Sequence, residues 1–418
     1  MARANEGERL PHLSGAEWLS RPATRAVFAA LTAQGAEARA VGGAVRNALM
    51  GTPVKDVDIA TTALPADVMR LAADAGLHAV PTGFEHGTVT VVARHVPFEV
   101  TTLRRDIETF GRHARVTFTT DWTEDARRRD FTMNALYCSA DGCVHDPLGG
   151  YADLVARRVR FIGDARERIR EDFLRTLRFF RFLAEYGNGA APDPEGLAAT
   201  IAEKAGLSGL SGERIRAELL LLLSAPGAIG AVSVMREAGL LEPVLGAAGN
   251  VERLARLAAV EHALGRAPDP VLRLAALTLD ATGPAALQER LRLSAAETAR
   301  HAQAGAKDPA FDPQTAEPAA RAFVYRHGAQ AFFDGAVMDW VRSKDAPDAQ
   351  PRADRVRLTE RWSAPELPVR GSDVLARGVK AGPEVGRVVA AFETWWIGEG
   401  FPSDPKKIAD KLDELVRG

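Results

Sequence analysis

The hydrophobic pattern of the chain changes near residue 150, and this change constrains the fold more than any other feature. Residues 1–140 alternate strand-like runs, such as VKDVDIATT, with helix-like segments, such as LPADVMRLAADAG. After residue 150 the strand pattern is lost, and helical periodicity continues to the end with Gly and Pro at the joints. This order predicts an α+β protein, with a small mixed-sheet head followed by an elongated all-α body.

The length predicts more than one domain, because 418 residues are too many for one ordinary hydrophobic core. We expect an α/β head at residues 1–140, a helical neck at 141–205, a helical body at 206–305 and a helical tail at 306–418. The sequence contains no repeat that would indicate a solenoid.

Composition excludes several classes of protein. The apolar and charged fractions, 46% and 26%, are typical of a soluble globular chain. The longest apolar runs, such as ELLLLLSAP, are far too short to span a membrane, and the N-terminal segment MARANEGERLPHLSG lacks the pattern of a secretion signal. Two cysteines, Cys138 and Cys143, are too few for a disulfide framework or a zinc site. We therefore expect a cytoplasmic protein with reduced thiols.

Arginine is concentrated in one part of the chain, although the net charge is only −2. Residues 104–181 include 16 arginines, 13 acidic residues and no lysine. Planar guanidinium groups suit bidentate contacts with phosphates and bases. A GC-rich coding bias, which the abundant Ala and Gly would also support, produces the same preference, so both explanations stand.

Two carboxylates interrupt the apolar run PVKDVDIATT. In a strand, Asp56 and Asp58 would project from one face, while Val57 and Ile59 project from the other. Like charges about 7 Å apart along one strand face repel each other unless a cation lies between them. A divalent metal ion is one explanation for the pair, and a solvated strand end is the more ordinary one.

A double glycine precedes this pair. Gly42 and Gly43, in GGAVRNALMG, stand at a predicted strand-to-helix turn whose backbone N–H groups favour a phosphate. Arg46, one turn into the helix, is within reach of the same anion. Most such turns only cap helices. A phosphate-binding turn next to a candidate metal pair is nevertheless what a nucleoside triphosphate with its Mg²⁺ requires.

A third carboxylate, Glu99, falls in the middle of the strand-like run PFEVTTLR. Exposure to solvent is the ordinary explanation for a charge in such a strand. If this strand lies beside that of Asp56, however, three carboxylates could bind two metal ions and activate a hydroxyl group for in-line attack.

Three consecutive arginines, including Arg128 and Arg129, precede Asp130 and a predicted strand with Asn134. Such charge runs are most often solvated. Asp130 and Asn134 suggest instead a polar network that fixes an arginine against a sugar or a phosphate.

The segment REDFLRTLRFFRFLAEYG is predicted to form one helix with a buried apolar stripe. Asp172, Arg175 and Arg178 are spaced by three and would share another face. A salt bridge between Asp172 and Arg175 is the ordinary explanation. In the functional explanation, Asp172 accepts a hydrogen bond from the exocyclic amino group of cytosine or adenine, and Arg175 donates one to the adjacent ring nitrogen. Uracil and guanine present a carbonyl and a ring N–H there, so the pair would reject them.

Taken together, these motifs resemble the class II tRNA nucleotidyltransferase and bacterial poly(A) polymerase family, within the polymerase-β-like nucleotidyltransferase superfamily. The matching stretches follow the family order over residues 40–187: GGAVRNALMG, KDVDIATTA, FEVTTLRRD, RRRDFTMNAL, HDPLGGYADL and IREDFLRTLRFFRF. Two positions depart from the family pattern. Asn47 stands where an Asp usually follows the arginine of the first motif, and Phe173 stands where many relatives have Pro or Ala.

The resemblance implies a polymerase-β-like head with Mg²⁺ as cofactor, held by Asp56 and Asp58. It also implies CTP, ATP and the acceptor arm of tRNA as partners, a tRNA-binding tail, and no membrane or nucleic acid template. With the residue patterns above, the expected catalytic residues are Asp56, Asp58 and Glu99. The expected nucleotide-binding residues are Gly42, Gly43, Arg46, Arg128, Arg129, Asp130, Asn134, Asp172, Arg175, Arg178 and Arg181. Residues 104–121 are similar to the flexible loop that the family uses in switching from C to A addition.

Within the family, HDPLGGYADL and TTLRRDIETFGRHA are more similar to CCA-adding enzymes than to poly(A) polymerases. We therefore expect an enzyme that adds C, C and A to tRNA 3′ ends. A poly(A) polymerase, or a partial enzyme that adds only CC or only A, is the nearest alternative. A catalytically inactive RNA-binding protein with the same fold is the alternative from another class.

Overall fold

A seven-stranded mixed sheet dominates the N-terminal part of the computed structural model, which describes residues 10–110 and 113–417. The strands lie in the order β3-β4-β5-β2-β1-β8-β9. β2 and β5 run parallel, and the other neighbouring pairs run antiparallel. The strands of the sheet are β1 Ala38–Val41, β2 Asp58–Thr61, β3 His78–Gly83, β4 Thr88–Ala93, β5 Val96–Thr102, β8 Tyr137–Ser139 and β9 Val144–His145; β6 Arg104–Phe110 and β7 His113–Phe118 form a separate two-stranded ribbon.

The register of the central strands brings the predicted site motifs to one end of the sheet. Val41, the last residue of β1, is paired with Asp58 on one side and with Tyr137 on the other. Gly42 follows directly, so the glycine turn lies between the start of β2 and the start of β8. β5 pairs in parallel with β2, which brings Glu99 to the same end.

Helices pack against the sheet and then replace it. α2 and α4 pack on the sheet, and α4 begins at Pro65 and is followed by Gly76 with φ +70°, as its sequence predicts. The helices up to residue 245 are α1 Glu17–Ser20, α2 Pro22–Thr32, α3 Gly43–Leu49, α4 Pro65–Asp74, α5 Trp122–Arg127, α6 Gly150–Val155, α7 Ala165–Glu171, α8 Leu174–Tyr186, α9 Pro194–Ala202, α10 Gly212–Ser224, α11 Ala228–Glu237 and α12 Leu241–Leu245.

Contacts divide the chain into two compact units after Val244. The second unit is helical: α13 Val251–Ala263, α14 Pro270–Thr278, α15 Pro284–Leu291, α16 Ala295–Gly305, α17 Glu317–His327, α18 Ala329–Arg342, α19 Gln350–Val356, α20 Leu358–Arg361, α21 Gly371–Leu375, α22 Pro383–Gly398 and α23 Pro405–Arg417. It has one apolar core within 257–358 and another within 369–412. The α+β class, with helices following a mixed-sheet head, is confirmed, and the finer division into head, neck, body and tail stays a prediction. Within the described residues, no helix is both long and apolar enough to cross a bilayer.

The segment predicted as one helix from Arg170 to Gly187 is two helices. α7 ends at Glu171 and α8 begins at Leu174, so Asp172 lies at the junction and not on the helix. Its carboxylate accepts a bond from the backbone N–H of Leu174 at 3.1 Å. An Asp side chain that binds nearby backbone N–H groups in this way competes with helix continuation.

The predicted apolar stripe is buried on α8, except for its first residue, Phe173, which precedes the helix and is half-buried. Leu177, Phe180 and Ala184 are at most 3% exposed. Four further rings, with centroids 4.9–6.4 Å apart, pack against one another, and Phe179 also contacts Phe180: Phe131, Phe161, Phe179 and Phe182. Burying each ring stabilises the fold by about 2 kcal/mol, so α8 is a firm support for the polar side chains on its other face.

Three local predictions need correction. β2 begins at Asp58, so Asp56 precedes the strand and the two carboxylates do not share one strand face. Asn134 lies in a 3₁₀ turn, Thr132–Asn134, and not in a strand. The predicted loop at 104–121 consists largely of the ribbon β6–β7. The parts of this loop at 111 and 112, and of the N-terminal segment at 1–9, lie outside the described residues.

Candidate active site

The glycine turn connects β1 to α3 at the centre of the site. Gly42 has φ +67°, which favours glycine because a Cβ would strain this conformation. A Cβ at Gly42 would lie 3.9 Å from Nη1 of Arg129, and one at Gly43 would lie 3.7 Å from Nη2 of Arg46. The turn therefore lies between two guanidinium groups, which makes it a suitable place for an anion.

Arg46 is buried beneath this turn. Its guanidinium donates to Oδ1 of Asn134 at 2.5 Å, to the hydroxyl of Tyr186 at 2.6 Å, and to Oδ1 of Asn47 at 3.0 and 3.2 Å. Burial lowers the pKa of Arg46, an effect that Tyr186 and Glu185 oppose. The side chain thus contributes positive charge behind the turn while its own N–H groups are bound to neutral acceptors.

The candidate catalytic carboxylates are exposed at the start of β2 and along β5. Asp56, Asp58 and Glu99 are all exposed to solvent. The pKa of Asp58 is raised, first because the surrounding protein removes part of its hydration and then because Glu99 and Asp56 repel its charge, while Arg129 opposes the shift. A cation bound between these groups would reverse the repulsion.

Carboxylate oxygens of this kind suit a hard divalent cation. Mg²⁺ in phosphate-processing sites is commonly bound through one or two carboxylates, with substrate phosphates and waters completing its shell. Asp56 and Asp58 fit this requirement. Glu99 lies on the neighbouring strand, as its prediction required, but within residues 10–110 and 113–417 no group of three or more His, Cys, Asp or Glu residues is arranged to hold a metal ion. Ligation by Glu99 therefore stays a prediction.

Arg129 is held beside the carboxylates by a buried acid. Asp125 is fully buried and accepts from Arg129 at 2.8 Å, from Arg128 at 2.7 Å and from the hydroxyl of Tyr137 at 2.8 Å. Burial alone would raise the pKa of Asp125, but Arg129 and Arg128 hold it well below its usual value. The acid is thus ionised and fixes the direction of both guanidinium groups.

Asp130 and Asn134 form the polar network that their spacing predicts. Asn134 donates to Oδ1 of Asp130 at 2.8 Å and accepts from Arg46. Arg178, on α8, donates to Oδ2 of Asp130 at 2.5 and 2.8 Å. Burial opposes ionisation of Asp130, but Arg178 lowers its pKa below the usual value. A continuous chain of bonds therefore runs from the glycine turn to α8.

Glu218 on α10 extends this chain. It accepts from Arg181 at 2.6 Å and from Arg178 at 3.3 Å, and it is 8% exposed. Arg181 also donates to Glu185 at 3.2 Å. Glu218, which the sequence motifs did not indicate, therefore helps to position both arginines.

The proposed base-reading pair is not a salt bridge. Asp172 accepts from Arg214 at 2.7 Å, while Arg175 donates to Glu171 at 2.5 Å and to the carbonyl of Arg168 at 2.9 Å. The ordinary explanation, an ion pair between Asp172 and Arg175, is therefore wrong. Asp172 lies at the junction of α7 and α8, and Arg175 lies in the first turn of α8. A cavity of about 600 Å³ opens beside Asp172 and Arg214.

Sequence reasoning missed the supporting residues of the site. These supporting residues are Asp125, Tyr137, Glu171, Tyr186, Arg214 and Glu218. Asp125 stands one turn before the arginine run, which is a usable signal. Glu171 is four residues from Arg175, a helical spacing that the sequence also shows, and Tyr137 is eight residues from Arg129. Tyr186, Arg214 and Glu218 contact the site across 37 to 140 residues, and no local pattern marks them.

Two family models match the chain. The Poly A polymerase head domain matches residues 38–160, and the probable RNA and SrmB-binding site of polymerase A matches residues 191–248. Among curated proteins, the mouse protein named CCA tRNA nucleotidyltransferase 1, mitochondrial is 34% identical over 87% of this chain and 84% of its own length. A protein of Lacticaseibacillus paracasei named CCA-adding enzyme is 32% identical over 92% and 94%.

Solved structures agree with these matches. The crystal structure of the Bacillus stearothermophilus CCA-adding enzyme in complex with CTP superposes with a TM-score of 0.71, at 29% identity, over 95% of this chain and 98% of that one. The Thermotoga maritima CCA-adding enzyme complexed with tRNA shares the fold, with a TM-score of 0.65 at 17% identity over 94% of both chains. Nucleotidyltransferases of this kind generally use a divalent metal ion. The family expected from the motifs is confirmed: this chain belongs to the CCA tRNA nucleotidyltransferases.

Proposed function

We propose that this enzyme adds C, C and A to the 3′ end of tRNA from CTP and ATP, without a nucleic acid template. The observation that carries the proposal is the register of the central sheet. Because Val41 pairs with Asp58, the glycine turn lies next to the carboxylates, and the hydrogen-bonded chain through Asn134 and Asp130 continues to the helix expected to read the base.

In the reaction, the 3′-hydroxyl of the tRNA attacks the α-phosphate of the nucleotide. A bond forms between O3′ and that phosphorus, the bond to the β-phosphate oxygen breaks, pyrophosphate leaves, and the hydroxyl proton is released. Asp56 and Asp58 would hold Mg²⁺, which stabilises the charge that develops on the phosphate oxygens. Glu99, on the adjacent strand, would add negative charge beside the hydroxyl.

The glycine turn and the arginines would bind the triphosphate. Gly42 and Gly43 allow close approach of the phosphates, and Arg46 supplies positive charge behind them. Arg129, fixed by Asp125, faces the same space from the other side. The remaining candidates on this surface are Arg128, Asp130, Asn134, Arg178 and Arg181.

Asp172 and Arg175 would select C and A over U and G. Each already has a protein partner, so a base would bind through the remaining lone pairs of Asp172 and through N–H groups that Arg175 releases from its carbonyl contacts. Arg214 orients Asp172 and Glu171 orients Arg175, so the two groups are held separately.

We further propose that the tail binds tRNA and that the enzyme works in the cytoplasm. An A-form acceptor arm is recognised mainly through its backbone and shape, which suits a surface built from helices. Cys138 and Cys143 are free thiols, in keeping with a reducing compartment.

Incubation of the purified chain with tRNA lacking CCA and each labelled nucleotide tests the proposal. We expect C, C and A to be added in order and addition to stop there, with Mg²⁺ required and pyrophosphate released. Long tails of A alone would identify a poly(A) polymerase instead, addition of CC or A only would identify a partial enzyme, and tRNA binding without any incorporation would identify an inactive RNA-binding protein.

A further inference from the structure

The hydrogen-bond acceptors around the side chain of Arg46 are unusual for a buried arginine. All of its side-chain acceptors are uncharged: the amide oxygens of Asn47 and Asn134 and the hydroxyl of Tyr186. A carboxylate directly after this arginine would provide a charge-assisted bond. Here that position is Asn47, and a neutral amide holds a guanidinium less firmly.

Tyr186 holds Arg46 through two contacts that supplement the bonds from the Asn47 amide. Its hydroxyl oxygen lies 2.6 Å from Nη2 of Arg46, and its ring centroid lies 4.1 Å from the guanidinium carbon. One side chain therefore contributes both a hydrogen bond and a cation–π contact. Tyr186 is itself fixed, since it is 6% exposed and packs against Phe182, whose ring lies 5.2 Å from the same guanidinium carbon.

The hydroxyl of Tyr186 remains protonated at neutral pH. Burial and the neighbouring Glu185 raise the pKa of Tyr186 to about 12, although Arg46 opposes the shift. The oxygen can thus accept from Arg46 without adding a negative charge that would weaken the attraction of the turn for phosphate.

We infer that Tyr186 is a positioning residue for nucleotide binding, which holds Arg46 against the Gly42–Gly43 turn and compensates for Asn47. This inference rests on the proposed binding of the triphosphate at that turn. Tyr186 touches neither nucleotide nor tRNA in this role and acts through Arg46.

Binding of CTP to the full chain, measured by calorimetry without tRNA, tests the inference alongside steady-state kinetics with CTP and ATP. We expect Tyr186→Phe to weaken CTP binding and to raise KM for both nucleotides about tenfold, since it removes a bond to a charged group, while kcat stays within about twofold. Tyr186→Leu, which also removes the ring, weakens binding further. Tyr325→Phe is the matched control: its hydroxyl donates to Glu393 at 2.7 Å in the other unit, and CTP binding should not change.

Two combined variants separate positioning from a general structural effect. Adding Asn47→Asp to Tyr186→Phe should restore CTP binding to within about threefold of the original, because a carboxylate next to Arg46 holds it without Tyr186. In an Arg46→Gln background, Tyr186→Phe should cause no further loss.

Unchanged CTP binding in Tyr186→Phe, no recovery with Asn47→Asp, or a full additional loss in the Arg46→Gln background would each overturn the inference. If Arg46→Gln alone leaves CTP binding unchanged, the proposed triphosphate site itself is wrong. That result is distinct from normal CTP binding in Tyr186→Phe, which overturns only the role of Tyr186.

Discussion

Asp172 is paired with Arg214, forty-two residues further along the chain, and not with Arg175, its neighbour by helical spacing. The two groups proposed to read the base are therefore held by different partners. Each can be altered without releasing the other, so their contributions to nucleotide selection can be measured separately.

Asp172→Ala should reduce discrimination against UTP and GTP as well as slow the addition of C. The change removes the acceptor for the exocyclic amino group, and a lost hydrogen bond of this kind is worth about tenfold or more in selectivity. The ratio of kcat/KM for CTP to that for UTP is the measurement. Asp74→Ala removes an exposed, ion-paired Asp elsewhere in the same unit and should leave the ratio unchanged. An unaltered ratio in Asp172→Ala would assign Asp172 a structural role with Arg214.

Asp56→Ala and Asp58→Ala should each abolish nucleotide incorporation while the protein stays folded. Both side chains are exposed, and removing Asp58 also relieves its repulsion by Glu99, so Tm should not fall. Incorporation into tRNA lacking CCA and thermal unfolding are the two measurements. Asp67→Ala, which removes a half-exposed carboxylate paired with Arg70 on α4, serves as the control. Activity that survives either catalytic change would show that the metal assignment is wrong.

Asp125→Asn should destabilise the protein by about 3 kcal/mol and weaken nucleotide binding, because it leaves two partly buried guanidinium groups without their buried anion. The folded pKa of Asp125 is depressed, so its stabilising contribution is complete above about pH 4, the unfolded value, and is lost as the pH falls below it. Urea unfolding between pH 7 and pH 3 measures the free energy of unfolding and its dependence on pH, and calorimetry with CTP measures nucleotide binding. The loss of stability on acidification should be smaller in Asp125→Asn than in the original chain, and an equal loss would contradict the assignment.

Gly150→Ala should disturb the turn that carries Asn134. A Cβ at Gly150 would lie 2.1 Å from the carbonyl oxygen of Thr132, so the first turn of α6 or the 3₁₀ turn must move. Overpacking of this kind typically costs about 1–3 kcal/mol, and KM for CTP should rise with it. Thermal unfolding and nucleotide kinetics are the measurements. Gly230→Ala, on α11, has open space around its Cβ and is the control; equal behaviour of the two variants would argue against a role for this contact.

Much of the architecture is readable from local pattern. The change of periodicity near residue 150, Pro65 and Gly76 around α4, and the buried stripe of α8 all agree with the structure. These features depend on neighbours within about one helical turn or one strand, where propensity and burial act together. Local pattern failed where a side chain competes with the backbone, as Asp172 does between α7 and α8.

The partners of the functional side chains were decided by tertiary structure alone. Asp125 and Arg129 are close in sequence, but Tyr186 reaches Arg46 across 140 residues and Arg214 reaches Asp172 across 42. Such pairs depend on the register of the sheet and on how α8 and α10 pack, which periodicity does not specify. The sequence by itself thus determined the family, the class of fold and the candidate residues, while burial and long-range packing determined which charge each residue faces.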